Sequence, residues 1–317
     1  MAKFVAAVVQ SAPVPGDTAA TVDKAAALIA EARQRGAEVA LFPEAFIGGY
    51  PKGADFHIFI GARTPEGRQE YARYQRRAIR VPGPETDVLG QAARDASMYV
   101  VIGVIEQDGG TLYCTALYFG PDGALLGKHR KLMPTAAERL CWGFGDGSTL
   151  DVVDTPWGPL AAVICWENYM PLLRTAMYGK GVAIYCTPTA DDRDSWVATA
   201  RHIALEGRCF VLSACQYLTR ANFPADMHNR LSDDGNAVLM RGGSMIIDPL
   251  GRVLAGPDYD GEVILTAELD TEEIARGQFD FDPVGHYARP DIFKLIVNES
   301  PTPAVIFSRR GAPGADA

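Results

Sequence analysis

Three residues of different chemistry, a carboxylate, an amine and a thiol, each follow an apolar or strand-like stretch of the sequence. Glu44 follows "EVALFP", Lys131 ends "KHRK", and Cys165 ends "LAAVIC". In α/β folds, ligands usually bind beyond the carboxyl ends of strands, so these side chains are candidates for one site. A nearby ammonium lowers the pKa of a thiol, and a carboxylate can take the thiol proton and later activate water. The three types together predict nucleophilic catalysis through a covalent intermediate.

Each residue alone also has a simpler interpretation. Glu44 can be a solvated loop carboxylate, Lys131 one member of a basic surface run, and Cys165 a small buried apolar residue. Histidine is the more usual partner of a catalytic cysteine, and sequence spacing excludes none of the five histidines from the neighbourhood of Cys165. They are His57, His129, His202, His228 and His286. The position of Glu44 and Lys131 at strand ends favours that pair over a histidine.

The start of the chain has the pattern of a βαβ unit. A short apolar stretch, residues 4–10, is followed by an amphipathic stretch, 21–36, that ends at a glycine, and by a second apolar stretch, 38–43. This order predicts two parallel neighbouring strands joined by a helix. Glu44 directly follows the carboxyl end of the second predicted strand.

The rest of the chain alternates helical patterns with strands and hairpins. Helices are predicted over 64–79, 85–97, 170–181 and 194–208. Strands are predicted over 99–106, 111–119, 160–165, 182–188, 209–215 and 261–269, with a strand ending at 131 and a hairpin over 242–257. Residues 132–149 form a long loop, and loops of that length in a compact domain tend to be functional. The pattern predicts an α/β protein with mixed sheets.

Composition favours one soluble enzyme domain. Residues 1–305 contain no linker or internal repeat, and 306–317 form a small polar tail that we expect to be disordered. A net charge of −9 argues against nucleic acid or an anionic membrane as partner, and no apolar stretch is long enough to span a membrane. Six cysteines without a C-x-x-C pair, and no secretory signal, predict free thiols in a reducing cytoplasm.

Other catalytic motifs do not account for the chain. "GFGDG" follows no strand, "GALLGKH" lacks the spacing and final hydroxyl of a phosphate-binding loop, and G-x-S-x-G does not occur. No group of histidines and cysteines has zinc-ligand spacing. The carboxylate, amine and thiol therefore remain the strongest candidate site.

Three segments around these residues resemble the motifs of the nitrilase superfamily of carbon–nitrogen hydrolases. They are "FPEAFIGGYP", "KHRKLMPT" and "VICWENYMP", in the family's order and at similar intervals. The resemblance continues through "YCTPTADDRDSW", "RHIALEGRCFVLSACQ" and "FDFDPVGHYARPD", so it covers most of the chain. "CWEN" is similar to the nitrilase branch rather than to the amidase or carbamoylase branches.

The resemblance implies a fold and a set of roles. The fold is a four-layer α-β-β-α sandwich of two mixed β-sheets. Cys165 is implied as the nucleophile, Glu44 as the general base, Lys131 as the stabilising cation or proton donor, and Glu138 as a residue that positions Lys131 or the substrate. The backbone N–H of Trp166 is expected to face the developing negative charge. The family's chemistry needs no metal or organic cofactor.

The implied activity is hydrolysis of an organic nitrile to the carboxylic acid and ammonia through a thioimidate and an acyl thioester, with some amide by-product. An amidase or a cyanide hydratase or dihydratase could use the same three residues, and a non-catalytic oligomeric scaffold is a third alternative. The expected partners are a small nitrile and further copies of the chain, as a dimer or a larger spiral. The substrate is expected to be either an aryl or an aliphatic nitrile. The candidates for its pocket are Tyr50, Trp142, Trp166 and Thr189.

Overall fold

The computed structural model describes residues 2–224 and 227–307 of the 317-residue chain. Its strands, in chain order, are β1 (Lys3–Gln10), β2 (Val39–Leu41), β3 (Ile58–Phe59), β4 (Ala62–Arg63), β5 (Tyr99–Asp108), β6 (Thr111–Phe119), β7 (Leu125–Arg130), β8 (Leu160–Ala162), β9 (Ile184–Thr189), β10 (Phe210–Cys215), β11 (Tyr217–Thr219), β12 (Val238–Arg241), β13 (Ser244–Ile247), β14 (Val253–Asp258) and β15 (Val263–Asp270). Its α-helices are α1 (Thr18–Gln34), α2 (Pro65–Gln75), α3 (Pro84–Ala96), α4 (Pro171–Gly179), α5 (Asp194–Gly207) and α6 (Glu272–Gln278).

Two mixed sheets carry most of the strands. One sheet has six strands in the order β15-β1-β2-β5-β6-β7, and the other has five in the order β14-β13-β10-β9-β8. In each sheet three neighbouring strands are parallel: β1, β2 and β5 in the first, and β8, β9 and β10 in the second, where β8 forms the edge. Antiparallel strands complete the first sheet on both sides and the second sheet on one side, where β13 and β14 follow β10. The carboxyl ends of the parallel strands are where the sequence places Glu44 and Cys165.

Alternation along the strands explains why the sheets pack face to face. Phe4, Ala6 and Val8 of β1 belong to the apolar core between the sheets, whereas Ala7 and Val9 point to the other side, where they pack with α1 and α3. Successive side chains of a strand point to opposite faces, so a strand that is apolar on both faces must be covered on both.

The second sheet repeats this arrangement. Ile184 and Cys186 of β9 contribute to the core between the sheets, whereas Tyr185 packs on the outer side with Trp196 and Ile203 of α5. The layers are therefore helix, sheet, sheet and helix. The predicted α-β-β-α sandwich with two mixed sheets is confirmed.

Most predicted elements are present, with bounds that differ by up to a few residues. The parallel pairing of β1 with β2 is confirmed, as are the hairpins β5–β6 and β13–β14. The predicted strand over 160–165 is wrong at its end, because β8 stops at Ala162 and Cys165 begins a 3₁₀ turn. The short pairs β3–β4 and β11–β12 were not predicted, since strands of two to four residues leave no periodic pattern.

The chain beyond α6 runs without regular structure to the last described residue, Phe307. Residues 308–317 of the predicted disordered tail lie outside the described residues, so that expectation stays a prediction. Within the described ranges, no helix has the length and apolar character needed to cross a membrane.

Candidate active site

Lys131 lies between two carboxylates in the interior of the protein. It follows directly after β7, and its backbone N–H donates to the carbonyl of Cys114 on β6. Its Nζ donates to Glu44 Oε1 at 2.6 Å and to Glu138 Oε2 at 2.7 Å. The lysine and Glu44 are both almost completely buried. A buried ammonium with two carboxylate partners is held in one place by charge-assisted hydrogen bonds.

Glu44 accepts hydrogen bonds both at its backbone carbonyl and at its carboxylate, the latter from the thiol of Cys114. Its carbonyl accepts a hydrogen bond of 2.7 Å from the side chain of Gln216, and its Oε1 accepts one of 3.5 Å from the Cys114 thiol. Gly103 lies behind it, where a Cβ would come within 2.8 Å of the Glu44 Cα. Glu44 Oε2 is buried and has no hydrogen-bond partner among the described residues. The carboxylate therefore keeps one oxygen available for a proton.

Cys165 occupies a tight turn between β8 and α4. Its φ is +51°, a left-handed conformation that non-glycine residues rarely adopt and that is often found at functional sites. The Thr189 hydroxyl, at the end of β9, donates to Cys165 Sγ at 3.1 Å. The Asn168 side chain donates to the carbonyl of Cys165 at 2.8 Å. The thiol is thus presented by a turn that several hydrogen bonds fix.

The charges of the site favour a protonated thiol and a carboxyl ready to accept its proton. Burial raises the pKa of Glu44 to about 7, although the Lys131 ammonium lowers it. Burial and the Glu44 carboxylate hold the pKa of the Cys165 thiol well above its ordinary value. Burial lowers the pKa of Lys131, but Glu44, Cys165 and Glu138 raise it more, so it lies well above the ordinary value. Lys131 is therefore an ammonium at neutral pH.

Glu138 connects Lys131 to the wall of the site. It lies in a 3₁₀ turn of the long loop, and its Oε2 also accepts from the backbone N–H of Thr135 at 2.6 Å. Its Oε1 accepts from the Tyr50 hydroxyl at 2.7 Å. Both carboxylate oxygens have partners, so Glu138 has the contacts of a positioning residue.

A cavity of about 230 Å³ opens onto this cluster. Its lining residues are Tyr50, Lys52, Thr135, Glu138, Cys165, Trp166, Ala190, Asp191, Asp192 and Arg193. The thiol thus faces a small space that has a largely polar and charged wall. Tyr50 and Trp166, two of the four residues predicted to form the substrate pocket, lie in this wall.

Trp142 and Thr189 lie behind the wall rather than in it. Trp142 is buried, packs edge-on against Tyr50, and has the Lys131 ammonium 5.5 Å from its ring centre. Thr189 contacts the sulfur of Cys165. The sequence predicts both as pocket residues, and the structure places each in contact with a residue that lines the cavity.

The histidines lie elsewhere. His129 pairs with Glu167, whereas His57 and His228 face each other with ring centres 5.4 Å apart. None of the hydrogen bonds found in the described part of the chain joins a histidine to Cys165. The alternative of a cysteine–histidine pair is therefore not supported, and Glu44 and Lys131 are the partners that the geometry offers.

One group of side chains is close enough together to hold a metal ion. Within residues 2–224 and 227–307, it consists of Asp55, His57 and Glu70, none of which lines the cavity at Cys165. Asp55 forms an ion pair with Arg230, and His57 faces Glu70 at 3.4 Å. These partners account for the charges of the group from within the protein.

Several site residues could not be found from sequence. Cys114 and Gln216 reach Glu44 from β6 and from the residue after β10. Cys114 belongs to none of the family-like segments, and Gln216 ends one of them, "RHIALEGRCFVLSACQ", whose letters do not reveal the contact with Glu44. Lys52 and Arg193 line the cavity close to catalytic segments in sequence, which was the available signal.

Comparison with known proteins gives the family. Residues 5–278 match the family model described as carbon-nitrogen hydrolase. The chain is 74% identical to an aliphatic nitrilase of Sinorhizobium fredii (strain HH103) over 306 residues, which cover 96% of this chain and 99% of that protein. It is 55% identical to a bifunctional nitrilase/nitrile hydratase of Lupinus angustifolius, over 96% of this chain and 88% of that protein.

A solved structure gives the same fold. The carbon-nitrogen hydrolase of Helicobacter pylori G27 superimposes with a TM-score of 0.73 over 92% of this chain and 97% of that one, at 19% identity. The predicted family, branch and class of activity are confirmed by the sequence relatives. The chain belongs to the carbon–nitrogen hydrolase family, in its nitrilase branch.

Proposed function

We propose that this enzyme hydrolyses short aliphatic nitriles to the carboxylic acid and ammonia, with Cys165 as nucleophile, Glu44 as general base and Lys131 as general acid. The observation that carries the proposal is the meeting of these three side chains beside one cavity, with Lys131 Nζ 2.6 Å from Glu44 Oε1. Glu138 positions Lys131 through its 2.7 Å contact. The intact set also speaks against a scaffold without catalysis.

The first step joins the sulfur to the nitrile carbon. Because the thiol is protonated at rest, its proton passes to Glu44 as Cys165 Sγ attacks. Lys131 gives a proton to the nitrile nitrogen, and Glu44 returns one to Lys131 across their hydrogen bond. The product is a thioimidate, and the thiol proton has in effect moved to nitrogen. The Trp166 N–H remains our candidate for stabilising the developing charge.

Two water molecules complete the reaction. Glu44 takes a proton from the first water, which adds to the thioimidate carbon and gives a tetrahedral intermediate with one hydroxyl, one amino group and the sulfur. Cleavage of the carbon–nitrogen bond releases ammonia and leaves a thioester. The second water hydrolyses that thioester to the acid and the free thiol. If the carbon–sulfur bond of the intermediate breaks instead, the amide is released, so a minor amide product is expected.

Cavity size and similarity support an aliphatic substrate. A space of about 230 Å³ lies below the usual range of about 300–1,000 Å³ for ligand pockets. Polar and charged residues take up much of its wall, which suits a small nitrile better than an aryl ring. The relative from Sinorhizobium fredii, 74% identical, is named an aliphatic nitrilase.

The proposal is tested by ammonia and acid release from the purified protein. The panel contains propionitrile, butyronitrile, benzonitrile, phenylacetonitrile, potassium cyanide and the matching amides. We expect the aliphatic nitriles to give the highest kcat/KM. Cys165→Ala should be inactive, whereas Cys186→Ala, which removes a buried thiol away from the cavity, should keep the activity. Activity on amides alone, or on cyanide alone, would contradict the proposal, as would turnover by Cys165→Ala.

We also propose that the enzyme works as a homo-oligomer, a dimer or a larger spiral. The segment after α6 has large apolar side chains that the described part of the chain leaves exposed, including Phe293 and Ile296, the latter 90% exposed. Such a run of apolar surface is typical of a protein interface. Light scattering should give a mass above one chain, and Ile296→Asp should lower it.

A reducing compartment suits the six cysteines, all of which are free and buried. We therefore propose a cytoplasmic location. Fractionation of the source cells would place the activity there or elsewhere.

A further inference from the structure

Glu167, the second residue after Cys165, is a buried carboxylate to which the proposed reaction assigns no step. Its Oε1 accepts a hydrogen bond of 2.5 Å from the backbone N–H of Leu132, and its Oε2 accepts one of 2.9 Å from the backbone N–H of Ile164. It is 1% exposed. Burial of a charge is costly unless it is paired, so a role other than solubility is required.

The partner of Glu167 is His129, two residues before Lys131. His129 Nε2 lies 3.0 Å from Glu167 Oε2, and its Nδ1 lies 3.1 Å from the carbonyl oxygen of Thr149. Both ring nitrogens face acceptors, so both must donate, and the ring is an imidazolium. Three donors surround Glu167, so both of its oxygens act as acceptors. The two residues form a buried ion pair, with Asp151 as a further negative charge near the ring.

This ion pair joins the two segments that carry the proposed nucleophile and general acid. Leu132 is adjacent to Lys131, and Ile164 is adjacent to Cys165. One carboxylate therefore binds the backbone on both sides, one oxygen to each segment, and these segments come from different sheets. We propose that Glu167 and His129 form a positioning pair that sets the spacing between Lys131 and Cys165.

Simple stabilisation is a weaker explanation for the pair. A buried ion pair often adds no net stability compared with apolar residues of the same volume. Its use here is geometric, because a carboxylate can accept on both oxygens at once and no apolar side chain can. Misplacement of a catalytic group by about 1 Å can cost about 100-fold in rate.

The inference rests on the proposed roles of Lys131 and Cys165, and Glu167→Gln tests it. A glutamine keeps the shape but has one acceptor oxygen, so its NH₂ group must face a backbone N–H of Leu132 or Ile164. We expect kcat for the best nitrile to fall about 10- to 100-fold, the usual effect of losing a supporting contact. KM should change by less than about threefold, since the cavity wall is untouched.

The pH profile separates positioning from a loss of folding. Lys131 lowers the pKa of Glu44, so a less well-placed Lys131 must let that pKa rise. The acid side of the kcat/KM profile should therefore move to higher pH in Glu167→Gln. A variant that is only partly unfolded would lose amplitude without such a shift. Titration of the Cys165 thiol gives the fraction of correctly folded sites, and the rates are divided by that fraction.

Asp248→Asn is the matched control. Asp248 is a buried carboxylate in the β13–β14 turn that also accepts from backbone N–H groups, those of Leu250 and Arg252. It should lose stability but keep kcat and the pH profile.

His129→Gln is the second variant. It tests the positioning role in the event that Glu167→Gln does not fold. It keeps one donor to Glu167, so a kcat loss smaller than that of Glu167→Gln, with the same direction of pH shift, is expected. Wild-type kcat and pH profile in the folded variants would overturn the positioning role. An inactive wild-type enzyme would instead overturn the proposed function.

Discussion

The hydroxyl of Thr189 donates a hydrogen bond of 3.1 Å to the sulfur of Cys165. The same oxygen accepts from the backbone N–H of Asp191 at 3.0 Å, which fixes the direction of the hydroxyl proton. A donor aimed at sulfur favours the thiolate, and it opposes the rise in thiol pKa that burial causes. Thr189 thus supports the proposed nucleophile, Cys165, from behind the cavity wall.

Replacement of Thr189 by valine tests this support. The side chain keeps its shape but loses the donor, so we expect kcat to fall by about tenfold, as for loss of a bond worth about 1.5 kcal/mol to a charged group. The rate of alkylation of Cys165 by iodoacetamide should fall in parallel. Thr187→Val, on the same strand and equally buried, is the control and should leave both rates unchanged. Equal losses in the two variants would contradict a specific role.

Glu44 and Glu138 both contact Lys131 but should differ in their effect on the reaction. Glu44→Gln removes the group that accepts and returns protons, so kcat should fall by about 100- to 10,000-fold. Glu138→Gln removes the negative charge beside Lys131 and one of the two oxygens that accept from Lys131, Thr135 and the Tyr50 hydroxyl, so a loss of about 10- to 100-fold is expected. Initial rates on butyronitrile measure both. A larger loss for Glu138→Gln would require the two roles to be exchanged.

The activity should depend on pH through Glu44. Burial raises its pKa to about 7, and the base must be deprotonated in the free enzyme, so kcat/KM should fall as the pH drops below about 7. The midpoint belongs to the group formed by Glu44, Cys165 and Lys131 rather than to one residue. Lys131, whose pKa is raised well above its ordinary value, should not limit the rate at mildly alkaline pH. A profile that stays flat down to about pH 5, near the ordinary range of glutamate, would contradict Glu44 as base.

The stability of the protein should depend on pH through His129. Burial lowers the pKa of this imidazole, but Glu167 raises it more, so the folded state binds the proton more tightly than the unfolded chain. The stabilisation is therefore complete below the ordinary histidine pKa of about 6.5 and is lost as the pH rises through the higher folded value.

Denaturant unfolding of the wild type and of His129→Gln over this pH range measures the effect. The variant should be less stable by about 3 kcal/mol at the acid end, because Glu167 is left in the core without its charged partner. The difference should shrink as the pH rises. A difference that stays constant with pH would mean that the ring is neutral in the folded protein.

The sequence was most informative where periodicity or spacing repeats. The apolar stretch of β1 and the helical pattern of α1 predicted the first βαβ unit, and the strand ends drew attention to Glu44, Lys131 and Cys165. The resemblance then gave the pairing of the two sheets, which the pattern alone left open.

Contacts between residues far apart in the sequence could not be predicted from periodicity or spacing. The approach of Gln216 to Glu44 joins residues 172 positions apart, and Thr189 lies 24 positions from Cys165. The pairing of His129 with Glu167 was missed because "KHRK" has the composition of a solvated basic run. Only the fold shows that every second residue of this strand points inward, which buries the histidine.

All six cysteines lie in the described part of the chain, and only Cys165 lines the cavity at the surface. An electrophile that resembles the substrate and enters this cavity therefore meets the Cys165 thiol, one per folded subunit. Covalent labelling at that sulfur becomes a way of counting: the moles of reagent bound per mole of chain give the fraction of subunits in an assembly whose sites are correctly formed. Rates can then be expressed per working site, so that a slow enzyme is distinguished from a partly inactive preparation.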